Sequence, residues 1–422
     1  MPTISAGALK RMLNLPANVV TGVPRVEKDP RGGDVVIVPV RPYAKDMGRC
    51  AGCGKHGRPY DRLGVRRWRH LDIGCARLML EYAPPRVTCA DHGVTVAMVP
   101  WARRKSAYTR DFEQQTAWLS VHAPRSAVSA LMRIDWKSVG PVCRRVADDL
   151  RAEQGPGLFD GLRSIGVDET SYRKGHTYMT VVVDHDRGRV IWMHDGRGGK
   201  VFDLFFQALT PAQRESIQVI TGDGARWIDE CAFRWCPQAE RILDGFHIVS
   251  WATDALDKVR TAAWRDARKA GTAAKGAKDP VKGARWALLK NPGHLTAGQK
   301  AQLECVANTN ETLWEAYKLK ERLRMILRQD ADEAAPMLRQ WTADASLSGI
   351  EEFSKLGEKI DRRRFDILRT IRSGLSNARL EAVNNKIKTT IKMGYGYRNL
   401  GNLIALVMLK CGGLNLQLPG RQ

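Results

Sequence analysis

Three stretches far apart in the chain each place an acidic residue where it could hold a divalent cation. Ile165-Gly166-Val167-Asp168-Glu169 and Val219-Ile220-Thr221-Gly222-Asp223 are apolar runs ending in Asp. The stretch Asn377-Ala378-Arg379-Leu380-Glu381-Ala382-Val383-Asn384-Asn385 reads as a helix carrying Glu. Carboxylates gathered from two strand ends and a helix repel one another in a low-dielectric site and stay ionised only with cations between them. Two such cations, about 3.5–4 Å apart, stabilise both the attacking and the leaving oxygen when a phosphodiester is displaced. Glu169 points to the opposite face of the strand from Asp168 and is read as a structural or supporting group.

A second constellation is Cys50-Ala51-Gly52-Cys53 followed by Cys89-Ala90-Asp91-His92. Two pairs of ligands, each with two residues between, let tight turns converge on one tetrahedral zinc ion at about 2.0–2.3 Å. Four protein ligands leave no open position, so this zinc is expected to be structural. The long loop between the pairs suits a ribbon whose knuckles are joined by strands. Cys75 and His56 are spare candidates, Cys75 expected to be buried and His56 solvated. Nine cysteines, an odd number with only this paired group, do not form a disulfide framework, so a reducing cytosol is expected.

Residues 1–100 are expected to form the zinc-binding module, with a strand from Asp34 to Val40. Pro100-Trp101-Ala102-Arg103-Arg104-Lys105 is a basic linker into three helical runs, Thr109–Val121, Arg125–Arg133 and Ser138–Leu150. Residues 101–155 thus read as a helix-turn-helix whose last helix, carrying Lys137, Arg144 and Arg145, enters a major groove. Pro141 fits the first turn if Ser138 is the cap. Arg103, Arg104 and Lys105 are read as further DNA contacts.

From Leu162 the pattern changes. Arg163–Glu169, His176–Asp184 and Arg189–Asp195 have the β-branching and turn punctuation of consecutive strands, with a hairpin at Asp186-Arg187-Gly188. A helix (Val201–Leu209), a strand (Ile217–Thr221), a helix (Ala225–Trp235), a short strand (Arg241–Asp244) and a helix from His247 follow. Three hairpin-linked strands and then alternating helix and strand is the layout of a ribonuclease-H-like α/β core, expected over 160–256. In that layout the first strand is central with the fourth beside it, so Asp168 and Asp223 are neighbours. Far more chain separates Asp223 from Glu381 than a loop can be, which demands an inserted domain. The insertion, 257–370, is helical and basic: ten Lys/Arg between Lys258 and Lys290 against Asp266 and Asp279, interleaved with tryptophans. These can neutralise phosphates and stack on bases. Gly271 to Gly283 reads as a mobile loop, and Glu304–Gln329 and Ala334–Trp341 as packing helices. Residues 371–413 are expected to complete the catalytic core, with 414–422 a tail.

Composition agrees with a polyanionic partner. The 422 residues carry a net charge of +23 and a pI near 9.9, with 43% hydrophobic residues and no stretch apolar enough for a membrane span. Secretion is not expected, because Lys10 and Arg11 are not followed by an apolar core and a cleavage site. Double-stranded DNA, and no membrane, is the expected partner.

The cysteine pairs, the helix-turn-helix, Gly166-Val167-Asp168-Glu169, Asp244-Gly245-Phe246-His247, and Glu381 to Lys388 with Gly394 to Asn399 together resemble the ISL-three family of bacterial insertion-sequence transposases, in the family's order and over almost the whole chain. The resemblance implies a DDE transposase using two divalent ions (Mg²⁺ or Mn²⁺) without a covalent protein–DNA intermediate. It matches Asp168, Asp223 and Glu381 to the catalytic triad. Thr221-Gly222-Asp223-Gly224 is richer in glycine than the pattern, leaving Asp229 and Asp244 as rivals, and Ala382 stands where Gly is expected. His247, three residues past a strand end, could orient water or touch the scissile phosphate. Lys388, on the face of Glu381, and Lys386 could hold substrate phosphate. Asn384 and Asn385 share that helix. A homodimer on paired ends, working at the bacterial nucleoid in the cytoplasm, is the natural assembly. Two other functions compete: an inactive, domesticated DNA-binding regulator, and a structure-specific nuclease of the same fold.

Overall fold

The computed structural model describes residues 5–29, 32–173, 175, 177–271, 280–374, 378–394 and 396–421. The chain divides into two compact units, residues 1–158 with 387–422, and residues 159–386.

The first unit opens with helix α1 (Ala6–Met12) and strands β1 (Val19–Thr21), β2 (Arg25–Lys28) and β3 (Asp34–Pro42). Strands β4 (Arg58–Arg62), β5 (Arg66–Ile73), β6 (Ala76–Tyr82), β7 (Pro85–Cys89) and β8 (Gly93–Val96) follow. They make two sheets. One has the order β1-β3-β6-β5 with β2 on β3, and the other β4-β7-β8. Alternation in β3 turns Val38 and Val40 onto Trp68, Leu78, Leu80 and Trp101, which close a core with α1.

Helices α2 (Arg110–His122), α3 (Arg125–Met132) and α4 (Trp136–Gln154) come next. Thr109 caps α2, its side chain accepting from Phe112 N at 3.3 Å. Arg133 closes α3 in the left-handed conformation (φ 51°). The cap of α4 is Asp135 rather than Ser138, its Oδ1 accepting from Lys137 N at 2.7 Å. Pro141 therefore lies inside the helix, where the Lys137 carbonyl has no amide to accept from. Cys75 is exposed, not buried, because the tight turn between β5 and β6 carries it away from the sheet; His56 is exposed as expected.

The second unit contains β9 (Ser164–Arg173), β10 (Thr177–Asp184), β11 (Arg189–Asp195), α5 (Gly199–Gln207), α6 (Pro211–Glu215), β12 (Val219–Gly222), α7 (Arg226–Trp235) and β13 (Glu240–Leu243). Its sheet has the order β11-β10-β9-β12-β13. The first three strands are an antiparallel meander, and β12 and β13 run parallel to β9. Phe202, Phe205 and Phe206 of α5, with Ile228 of α7, bury Ile165, Val167, Val182 and Ile220.

A helical bundle follows: α8 (Gly245–Lys269), α9 (Pro280–Gly283), α10 (Arg285–Leu289), α11 (Ala297–Thr309), α12 (Glu311–Ile326), α13 (Ala331–Leu347), α14 (Glu351–Arg362) and α15 (Arg364–Ser373). Its core gathers Leu256, Leu313, Leu323, Trp341, Phe353 and Ile360. The expected boundary at 256/257 falls inside the continuous helix α8, which supplies Ile248 from its first turn and Ala252, Leu256 and Val259 further on to the bundle core. The expected helix Glu304–Gln329 is two helices, because Asn310 leaves helical geometry (φ −146°) and caps α12 by accepting from Leu313 N. The loop expected over Gly271–Gly283 falls on 272–279, outside the described residues, and on α9.

Helix α16 (Ala378–Met393) contains the passage between the two units, and α17 (Leu400–Cys411) belongs to the first. The C-terminal helices were expected on the catalytic core. Instead α17 packs on α4 and α2, burying Leu403, Leu406 and Val407. Gly140 permits the close crossing, since a Cβ there would collide with Asn402.

Candidate functional site

Asp168 lies mid-strand in β9, opposite Val181 of β10. On its other side the parallel register ends at Thr221↔Gly166, and Asp223, two residues on, lies near enough for its charge to act on Asp168. Asp223 is the first residue past β12, so its backbone turns away and its Oδ1 accepts from Ala225 N at 3.0 Å. The flanking glycines are packing requirements. A Cβ on Gly222 would lie 2.9 Å from Ile228 and 3.1 Å from Val167, and one on Gly224 2.6 Å from the Trp251 ring. The glycine-rich departure from the family pattern thus has a steric cause.

Burial pushes the Asp168 carboxyl above its ordinary range; the Glu169 N–H, His247 and Asn384 oppose this, and the charge of Asp223 adds to it. The Glu169 N–H donates to Asp168 Oδ1 at 2.8 Å, and Asn384 Nδ2 donates to its Oδ2. Asn384 is buried and its Oδ1 accepts from Thr170 Oγ1 at 3.1 Å. Glu169 is raised by burial, with Asp223 and Asp168 adding, while its Oε1 accepts from Gly198 N at 2.9 Å, ahead of α5.

Glu381 is exposed, one turn before Asn384 on α16. Among the described residues, the group of three or more His, Cys, Asp or Glu whose ligand atoms all lie within 4.8 Å is the cysteine cluster, not the acidic trio. The structure therefore brings Asp168 and Asp223 together and leaves Glu381 on the helix that touches Asp168 through Asn384. Sequence reasoning gave Asn384 no role at Asp168; its position on Glu381's face was the available signal.

The rivals are otherwise engaged. Asp229 pairs with Arg241 at 3.0 Å and Arg363 at 2.5 Å. Asp244 caps α8, accepting from Phe246 N at 2.9 Å, and its Oδ2 lies 3.6 Å from His247 Nε2. His247 is about one-third exposed and acts electrostatically on Asp168, so the first turn of α8 brings it to the site. Lys359 of α14 holds its Nζ 3.5 Å from the Trp251 ring centroid. Burial lowers its ammonium below the ordinary range, Arg363 adds, and Asp223 opposes. Lys386 and Lys388 are exposed on α16.

The donor set at Asp168 and Asp223, hard oxygens under mutual repulsion, fits an oxygen-seeking divalent cation. The cysteine cluster fits a different one. Cys53 Sγ and Cys89 Sγ are 3.5 Å apart, and Cys50 Sγ and Cys89 Sγ each lie 3.7 Å from His92 Nδ1. A tetrahedron with bonds of about 2.3 Å has edges of about 3.8 Å, so these spacings match zinc. Gly52 passes beneath the His92 ring, where a Cβ would be 2.8 Å away.

The expected DNA-contacting residues separate into two sets. Lys137 and Arg144 on α4, with Arg104 and Lys105, are exposed. Arg103 and Arg145 instead converge on Glu113, which is fully buried, at 2.9 and 2.5 Å, and Ser106 donates to it at 2.8 Å. Arg103 also pairs with Asp149 at 2.5 Å, so Glu113 and Asp149 together offset the two charges within the first unit.

These features are those of a DNA transposase, and the sequence comparisons agree. Residues 165–407 match the family model described as a transposase, and residues 97–147 match the helix-turn-helix domain of transposase family ISL3. The chain belongs to the ISL3 family of transposases. It is 40% identical over 421 residues to the transposase for insertion sequence element IS1557 of Mycobacterium tuberculosis, covering 96% of this chain and 94% of that protein. It is 28% identical over 381 residues to the transposase for insertion sequence element IS1001 of Bordetella parapertussis, covering 90% and 92%. No helix among the described residues is long and apolar enough to cross a membrane.

Proposed function

We propose that this chain binds the ends of its own insertion sequence and performs metal-dependent strand cleavage and strand transfer by a DDE mechanism on a ribonuclease-H-like core. The observation that carries the reading is the pairing of β9 with β12, which brings two partly buried, mutually repelling carboxylates together with His247 acting on one of them. Asp168, Asp223 and Glu381 would hold the divalent ions. Bound there, Mg²⁺ or Mn²⁺ would activate a water or a DNA 3′ hydroxyl and stabilise the departing oxygen. Asn384 orients Asp168. His247, between Asp244 and Asp168, orients water or meets the scissile phosphate.

Lys137, Arg144, Arg104 and Lys105 supply DNA contacts from the first unit, with α4 as the recognition helix and zinc stapling the β4-β7-β8 sheet. Lys386 and Lys388, on the helix of Glu381, would contact substrate phosphate. Two ends must be brought together, which a homodimer accomplishes, and the bacterial cytoplasm is where such DNA lies. A regulator without activity has no use for repelling carboxylates beside a basic surface.

The test is cleavage and joining of a labelled DNA carrying this element's ends, with Mg²⁺, comparing the wild type with Asp168→Ala. Activity lost in the variant while DNA binding persists supports the reading. Tight binding without cleavage or joining by either protein, in Mg²⁺ or Mn²⁺, refutes it.

A further inference from the structure

The loop that carries Asp223 is held by two arginines, one of them from the helical bundle. Arg241 of β13 is buried and donates through Nη2 to the Asp223 carbonyl. Its Nη1 donates to the Ile242 carbonyl and reaches those of Ile220 at 3.4 Å and Gly222 at 3.5 Å. Arg363, at the junction of α14 and α15, donates through Nη2 to the Gly224 carbonyl at 3.1 Å. Asp229 joins the two arginines: its Oδ1 accepts from Arg241 Nε at 3.0 Å and its Oδ2 lies 2.5 Å from Arg363 Nη2. Asp366 accepts from Arg363 Nη1 at 3.0 Å.

Three successive carbonyls, of Gly222, Asp223 and Gly224, are therefore each met by a guanidinium. The peptide planes on either side of the Asp223 Cα are rigid. Both of those planes are met by Arg241, which sets the φ and ψ of Asp223 and hence the direction of its Cβ; Arg363 fixes the next plane at the Gly224 carbonyl and, through Asp229, holds the Arg241 guanidinium in place. Planar guanidinium groups with several donors suit this better than a lysine would.

We infer that Arg363 is a positioning residue for Asp223, through which the helical insertion sets the direction of a metal-ligating carboxylate. The inference rests on the metal-dependent reading above. It gives the insertion a part in the active-site geometry besides any contact with DNA.

The test uses the full chain with Arg363→Gln, which keeps a polar group but cannot bridge Gly224, Asp229 and Asp366. Mn²⁺ binding is measured by calorimetry without DNA, Mg²⁺ is titrated in the end-cleavage assay, and DNA affinity is measured separately. Groups that orient metal ligands change metal affinity about 10- to 100-fold when removed. Weaker Mn²⁺ binding and a higher Mg²⁺ requirement in that range are expected, with unchanged DNA affinity and cleavage recovering at high metal. Asp229→Asn should shift both in the same direction, and the double variant by less than the two shifts combined.

If Arg363→Gln does not fold, Asp229→Asn and Arg363→Lys carry the same measurement. Wild-type metal affinity in the folded variants overturns the inference. So does a loss of DNA affinity equal to the loss of cleavage, which would make Arg363 a DNA contact. A wild type that neither binds Mn²⁺ nor cleaves would instead defeat the metal-dependent reading itself.

Discussion

Gly224→Ala is the sharpest probe of the loop that carries Asp223. The new methyl would lie 2.6 Å from Trp251 Cζ2 and 2.9 Å from Cη2. Carbon atoms in contact prefer about 3.5–4.0 Å, so one side must yield by roughly 1 Å. Trp251 is wedged against the helical core and covered by Lys359. On the other side, the Gly224 carbonyl is held by Arg363. Overpacking of this kind costs about 1–3 kcal/mol, equivalent to about 2–4 °C in Tm per kcal/mol for a unit of this size. Displacing Asp223 by that distance would slow cleavage about 100-fold, the penalty expected for a 1 Å misplacement. Thermal melts and single-turnover end cleavage at saturating Mg²⁺ measure both effects. Trp251→Phe removes the two clashing atoms, so the double variant should recover part of both losses. Gly293→Ala, whose new methyl comes no closer than 3.8 Å to a neighbour, is the control. A Gly224→Ala protein with wild-type melting and rate would refute the steric account of this glycine.

Three further outcomes follow from the same geometry. Glu113→Ala strands the Arg145 guanidinium and leaves Arg103 with Asp149 alone, and should cost about 3–5 kcal/mol in denaturant unfolding, whereas Lys137→Ala or Arg144→Ala should leave stability unchanged and lower the salt dependence of DNA binding by about one ion each; equal stability losses would contradict this division. Chelation, or Cys53→Ser, should release one zinc and unfold the β4-β7-β8 sheet, followed by metal analysis and circular dichroism; a sheet that survives metal loss argues against a structural zinc. His70, buried between Thr109 Oγ1 and the Leu13 carbonyl, is held down to about 4 by burial, so it stays neutral in the fold while the unfolded chain protonates near pH 6.5. Its contribution, on the order of 3 kcal/mol, should be present above pH 6.5 and lost as pH falls toward 4. Asp168 and Glu169 act oppositely: raised by burial, they favour the fold at low pH and lose that contribution as pH rises through their folded values. His70→Asn should flatten the acid limb of a stability–pH profile; an unchanged limb would exclude His70 as its source.

Local chemistry was legible in the sequence wherever it is written in short spacing. The paired Cys-x-x-Cys and Cys-x-x-His turns specify a tetrahedral cluster because each knuckle closes within four residues. Strands β9, β10 and β11 were visible because Val and Ile runs end at turn residues such as Asp186-Arg187-Gly188. The last helix of the helix-turn-helix was readable, but not its cap, since Asp135 and Ser138 are both good capping residues and only backbone geometry chooses between them. Exposure was less legible: a lone cysteine is usually buried, and only the turn at Gly74 turns Cys75 outward.

The chain's residue order shows which positions bear carboxylates, thiolates and positive charge, and which strands and helices carry them. Which of these groups meet depends on the folded arrangement. The parallel pairing of β9 and β12 brings Asp223 near Asp168, and α16 reaches Asp168 through Asn384. Arg103 and Arg145, identical in sequence character to Arg104 and Arg144, are drawn inward by the buried charge of Glu113. Asp229, a plausible ligand by spacing, is instead held between Arg241 and Arg363. Such pairings join residues far apart in the chain, and no local pattern records them, because the energy of a buried charge depends on what the fold brings within a few ångströms of it.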